Sequence, residues 1–285
     1  MKIGYETRYE VLPFYWTPQS KREYVLNYVQ SKPQVGAWTT WKSITEHCVG
    51  IKLMEVREIL REYTPGQLMK PVKAHHRPVM AMIPDGPHTW FQLDTIFLNK
   101  IGTVGYVLLM IDVMTKYLWA FPMTSTKSET AWEKAKETIM KEHQIFKDIY
   151  KGGASPQFRV HTDNGSEFKK DFDEGLASLN ITHVFGYPYH PWSQGVVERA
   201  GKTLKGLIAL QKVQSGSSNW RGKNNATLEE IRSHYNDTIH STTNLKPSNF
   251  HTLTSTPWSD ETRKLVEIVK NRMRGKASKN QWEER

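Results

Sequence analysis

Cysteine is almost absent. Cys48 stands alone among 285 residues, so no intrachain disulfide can staple the fold and no Cys-x-x-Cys pair can hold structural zinc. Glycine and proline number only 18 and 14, which removes the fibrous and low-complexity classes. No run of about 18 apolar residues offers a membrane span, and the opening MKIGYETRYE lacks the apolar stretch of a secretory signal. These absences lead us to expect an intracellular, reducing setting and no membrane partner. Apolar residues, by contrast, make up 38% of the chain and aromatics 11%, enough to fill one or two cores. Positive charge is also in surplus, 39 Lys and Arg against 29 Asp and Glu for a net +10, which favours a polyanionic partner, nucleic acid ahead of a membrane surface.

Helical signals come first. Thr17-Pro18 sets an N-cap before a proline at the first helical position, and Tyr24, Val25, Tyr28 and Val29 share a face until Pro33. A second helix is expected near Thr40, with Trp41, Ile44 and Cys48 on one side and Gly50 ending it. The third carries Leu53, Val56, Leu60 and Tyr63. This spacing suggests a helix-turn-helix, but the outer face of the third helix mixes Lys52, Arg57 and Arg61 with Glu55, Glu58 and Glu62. A DNA-reading motif and a plain packing bundle both remain open. From Thr64 onward Pro65, Pro71, Pro78, Pro84 and Pro87 alternate with basic residues, the composition of an extended linker. His75 and His76 read as solvated histidines of that linker. The expected organisation is a helical domain over 1–63, a basic Pro-rich linker over 64–87, a core over 88–250, and a basic helical or disordered tail over 251–285.

Past the linker the period changes. Trp90 to Leu98, Tyr106 to Val113 and Tyr117 to Pro122 read as three strands, the middle one apolar enough to be buried on both faces. A helix over Ser125 to His143, a strand over Phe158 to His161, a helix over Glu167 to Leu179 and a strand over Ile181 to Phe185 follow. Further helices open near Gly195 and span Leu228 to His240. Three strands followed by alternating helix and strand predict an α/β fold, a mixed sheet with helices on its faces.

Three stretches carry chemistry: FQLDTIF around Asp94, HTDNGSEF around Asp163, and GYPYHPWSQGVVERAGKTLK around Glu198. Asp94 interrupts an apolar strand, where an unpaired carboxylate is costly. Asp163 ends a strand before an Asn-Gly turn, and Glu198 lies in the first turn of a helix. Asp112 reads instead as a structural carboxylate. Two carboxylates ~4 Å apart repel by ~4 kcal/mol at an effective dielectric near 20, so three in one site call for cations. Oxygen-only ligands select Mg²⁺ or Mn²⁺ over zinc.

These motifs resemble the catalytic core of retroviral integrases, ribonuclease H-like polynucleotidyl transferases whose pattern is Asp, Asp and a more distant Glu. The 34 residues between Asp163 and Glu198 are one fewer than the retroviral count. YPYHPWSQGVVE is close to lentiviral integrases, while DVMTKYLWAFP and YNDTIHSTTNLKP are similar to integrases of retroelements and of Maverick or Polinton transposons. The resemblance covers about 88–250. It implies a five-stranded ribonuclease H-like sheet flanked by helices, here preceded by a small all-helical N-terminal domain. It also implies catalytic and metal-binding roles for Asp94, Asp163 and Glu198, with two Mg²⁺ or Mn²⁺ ions and Asp94 shared between them. The family's N-terminal zinc bundle is not matched, and the 38 residues after Pro247 are fewer than its linker and C-terminal β-barrel need.

The activity so implied is metal-dependent cleavage of a DNA 3′ end and its transfer into target DNA. Rival readings are a structure-selective nuclease of the same fold without the joining step, and a domesticated, inactive DNA-binding protein. Double-stranded DNA, both element ends and target, is the expected partner, in a homo-oligomer acting in the host nucleus or the virion. The loop from Gly186 to Gly195 offers Tyr189, Ser193 and Gln194 as DNA contacts, with Asn164 beside them. On the following helix Lys202 lies about 40° and Lys205 about 20° from Glu198, and these two lysines match ones that meet DNA ends in the family.

Overall fold

A computed structural model describes residues 16–31, 36–63, 83–151, 156–186, 194–223 and 226–282. The first three helices are α1 (Pro18–Ser31), α2 (Ala37–Ile44) and α3 (Leu53–Glu62). Thr17 caps α1 as its sequence suggests, its Oγ1 accepting the Ser20 N–H at 3.1 Å. Val25, Val29, Ile44, Ile51, Val56 and Ile59 form a small core of their own, with a Lys21–Glu55 ion pair at 2.7 Å across it. The second helix does not reach Gly50 but ends at Ile44. Gly50 instead turns the 45–52 connection at φ 93°, where a Cβ would stand 3.0 Å from the Trp16 ring. Most of the Pro-rich stretch, with His75 and His76, lies outside the described residues. At its end Pro84, Gly86 and Pro87 are buried, and Tyr150 donates its hydroxyl to the Pro87 carbonyl at 2.9 Å.

The sheet follows. Strands β1 (Trp90–Ile101), β2 (Val104–Asp112) and β3 (Leu118–Met123) form an antiparallel meander; β4 (Arg159–Thr162) and β5 (Thr182–Phe185) add to β1 in parallel, giving the order β3-β2-β1-β4-β5. The parallel additions need crossovers, supplied by α4 (Ser128–Ile149) and α5 (Asp171–Ser178). The remaining helices are α6 (Gly195–Ser215), α7 (Ala226–Asp237), α8 (Pro247–Thr254) and α9 (Asp260–Trp282). This is the mixed five-stranded sheet with flanking helices that the resemblance implies, preceded by a helical domain.

Period-2 alternation sorts the two faces. Phe91 and Leu93 of β1 with Leu108 and Met110 of β2 pack under α4 and α5. Ile96 with Val107, Leu109 and Ile111 packs under α6 and α7. Asp112 is structural, as expected: fully buried, it accepts the backbone N–H groups of His88 at 3.0 Å and Met114 at 2.8 Å. The single helix expected over Glu167 to Leu179 is a correction. It breaks into a 3₁₀ turn, Ser166–Phe168, and α5, with Lys170 at φ 48° between them. The cause is tertiary: Ser128 Oγ accepts the Phe172 N–H at 2.9 Å and donates to the Lys169 carbonyl. Among the described residues no helix is long and apolar enough to cross a membrane.

Candidate active site

The β1–β4 register brings the first two carboxylates together. Gln92 pairs with His161, and two residues further along each strand stand Asp94 and Asp163, on the same side as those partners. Asp163 closes an Asx turn just past β4, its Oδ1 accepting the Gly165 N–H at 2.9 Å. Gln92 fixes the third. Its Oε1 accepts the Val196 and Val197 N–H groups at 3.2 and 3.0 Å, doing from a strand what an N-cap does from within a helix. The first turn of α6 carries Glu198 and is thereby held to the strand that carries Asp94.

Electrostatics show the convergence. Burial pushes the Asp94 carboxyl up to about 6, and the negative charges of Asp163, Glu198 and Glu167 push the same way. Glu167 was not anticipated from sequence. Its nearness to Asp163 shows at Gly165, where a Cβ would lie 2.6 Å from Glu167 Oε2 and 2.8 Å from Asp163 Oδ1. Gln92 was also missed, although its spacing of two from Asp94 in an apolar strand was a usable signal. His161 keeps positive charge away: burial, then His183, lowers it to about 4. An all-oxygen donor set with uncompensated negative charge fits a hard dication such as Mg²⁺ or Mn²⁺.

The expected DNA contacts are placed unevenly. Asn164 donates its amide to the Gly186 carbonyl at 2.9 Å, tying the ends of β4 and β5. Gln194 is the N-cap residue of α6 and is buried, and among the described residues neither of its amide atoms has a hydrogen-bond partner. Lys202 and Lys205 are exposed on α6. Tyr189 and Ser193 lie outside the described residues.

A carboxylate cluster held at the meeting of β1, β4 and a helix start, on a mixed five-stranded sheet, defines the class as cores with an acidic site suited to hard dications. Residues 84–191 match the family model described as the integrase core domain. The chain is 30% identical over 123 residues to the Pol-related polyprotein of a mouse intracisternal A-particle, covering 43% of this chain and 13% of that protein. It is 30% identical over 167 residues to the Gag-Pro-Pol polyprotein of simian retrovirus SRV-1, covering 57% and 8%. For the Mason-Pfizer monkey virus Gag-Pro-Pol polyprotein the figures are 32% over 142 residues, 49% and 7%. The chain thus spans only a small part of the curated relatives it matches. Among solved structures, the catalytic core domain of BIV integrase aligns with a TM-score of 0.43 at 21% identity, over 58% of this chain and 94% of that one.

Proposed function

We propose that this chain is the catalytic part of a DNA integrase or transposase, which trims a 3′ end of a mobile-element or viral DNA and joins it to target DNA. The observation that carries the reading is the gathering of Asp94, Asp163 and Glu198 around one raised carboxyl, with Asp94 and Asp163 inside the 84–191 segment that matches the integrase core domain and Glu198 just past its end. Asp94, Asp163 and Glu198 would hold two Mg²⁺ or Mn²⁺ ions. Bound there, the ions supply activation of the attacking oxygen and stabilisation of the leaving 3′ oxygen.

The protein's own residues do the positioning. Gln92 holds the start of α6 so that Glu198 faces β1, and Asn164 anchors the end of β5 from which the loop to α6 departs. Lys202 and Lys205 meet phosphates beside the scissile bond, while Gln194, Ser193 and Tyr189 line the path of the DNA end. Paired DNA ends held by a homo-oligomer, in the nucleus of the host cell, complete the proposal.

A pre-cut duplex bearing a recessed 3′ hydroxyl, incubated with the protein, Mg²⁺ and target DNA, should yield joined product, and Asp163→Asn should abolish joining while remaining folded. Cleavage without joining would favour the structure-selective nuclease. Neither activity, despite tight DNA binding, would favour an inactive DNA-binding protein.

A further inference from the structure

A second polar cluster shares none of these carboxylates. His88 just ahead of β1, Glu142 on α4 and His251 on α8 bring one donor atom each within 4.8 Å of one another. His88 and Glu142 are fully buried, and the His251 side chain is 13% exposed. His88 sits at φ 58°, a conformation uncommon for a residue with a side chain, and is held there by Asp112 at its N–H.

The hydrogen bonds around both rings set their orientation. Thr254 Oγ1 donates to the Phe250 carbonyl at 2.8 Å, so toward His88 Nε2, 3.1 Å away, it accepts. This partner suits a hydrogen on Nε2, and His88 Nδ1 faces Glu142 Oε2 at 2.7 Å, where it can donate an N–H when the ring is protonated or offer a lone pair when it is neutral. On the other ring, Ser255 Oγ donates to the His251 carbonyl at 2.7 Å and faces Nδ1 at 3.5 Å. This turns His251 Nε2 toward both carboxylate oxygens, at 3.2 and 3.3 Å. Two ring nitrogens aimed at one buried carboxylate can satisfy it with their N–H hydrogens or with a shared cation. A charge-assisted hydrogen bond closes to about 2.7–2.9 Å, but His251 straddles both oxygens at a longer distance. That distance is the separation of two ligands sharing one tetrahedral metal, roughly 3.3 Å for bonds near 2.0–2.1 Å.

We propose that His88 Nδ1, Glu142 and His251 Nε2 form a binding site for a single transition-metal dication with the ligand preference of zinc. To admit it, His88 would withdraw by about half an ångström from the carboxylate, and the donor atoms, now spread over up to 4.8 Å, would close toward the roughly 3.3 Å of a tetrahedral site. Thr254 and Ser255 orient the ligand rings from behind. Tyr117, stacked on His251 at 4.3 Å, and Trp119, edge-on at 5.3 Å, wall the site with aromatic surface. Two nitrogen donors separate it chemically from the all-oxygen site at Asp94. A bound ion would cross-link the start of β1 to α4 and α8, with water in its fourth position.

Cobalt is the probe. Chelator-treated full-length Asp163→Asn protein, in which the carboxylate site is disabled, is titrated with Co²⁺ under excess Mg²⁺. One equivalent should give the visible d–d absorption of a tetrahedral site, bleached by one equivalent of Zn²⁺, and Zn²⁺ should raise Tm. Adding His251→Gln or Glu142→Gln should abolish both responses. Where these variants do not fold, zinc should protect His251 of the Asp163→Asn protein from diethyl pyrocarbonate, read by peptide mass mapping. Absence of the cobalt band overturns the proposal and leaves a proton as the bridging cation. It is equally overturned by a band that survives in both folded ligand variants, or by His251 modified at the same rate with and without zinc.

Discussion

Asp94 is held at about 6 against an ordinary 3.8 by burial and by Asp163, Glu198 and Glu167. Between these two values the folded protein keeps a proton that the unfolded chain has released, so stability falls as pH rises through the window. Asp94→Asn removes the titrating group. In Mg²⁺-free buffer it should be more stable than the parent above pH ~6 by about 1–2 kcal/mol, with the gap closing below pH ~4. Urea midpoints across that range check this, and parallel profiles for the two proteins would place the repulsion elsewhere. Mg²⁺ should narrow the gap by stabilising the parent alone, since the variant lacks a ligand. Glu142 is the contrasting carboxylate: burial pushes it up, yet hydrogen bonds from His251 and His88 outweigh that and bring it to about 2.

The α6 helix connects the chemistry to the packing. Val197, Ala200, Leu204 and Leu207 bury one side. At Gly201 the helix comes so near the sheet that a Cβ would stand 3.1 Å from Ile96 Cγ2. The opposite side leaves Lys202 and Lys205 exposed, and among the described residues no ion pair joins either of them to Glu198. The double substitution Lys202→Ala/Lys205→Ala should leave the fold intact and lower the salt slope of duplex binding by about 0.9 per lost phosphate contact. A slope that does not change would make both lysines ordinary solvated side chains. This face was legible in sequence because a 3.6-residue period and three acidic motifs fall in one order. The break before α5 was not, because the Ser128 hydroxyl that causes it arrives from a helix 44 residues away. Nor were His88, Glu142 and His251, separated by 54 and 109 residues with no local pattern. Nor was α8, which owes its place to Phe250 buried beside Met114.

At the scale of the whole molecule, α9 belongs to the packed body. Val266, Val269 and Met273 are buried with Met114 and Phe250, and Lys270 donates to the Asp85 carbonyl at 2.9 Å. Removing residues 257–285 should therefore cost about 5 kcal/mol, at roughly 1.5–3 kcal/mol per buried apolar side chain. A chemical-denaturation midpoint equal to that of the full chain would show α9 to be an appended tail. The strand order has a consequence in time. The β1–β2–β3 meander closes through short turns, whereas β4 reaches β1 only after the α4 crossover and β5 and α6 follow a second one, and such non-local pairings form late. Asp94 is thus in place early, while Asp163 and Glu198 come last. In a half-folded intermediate the three carboxylates are therefore still apart, because their mutual repulsion and their shared site are assembled only by the closing events of folding.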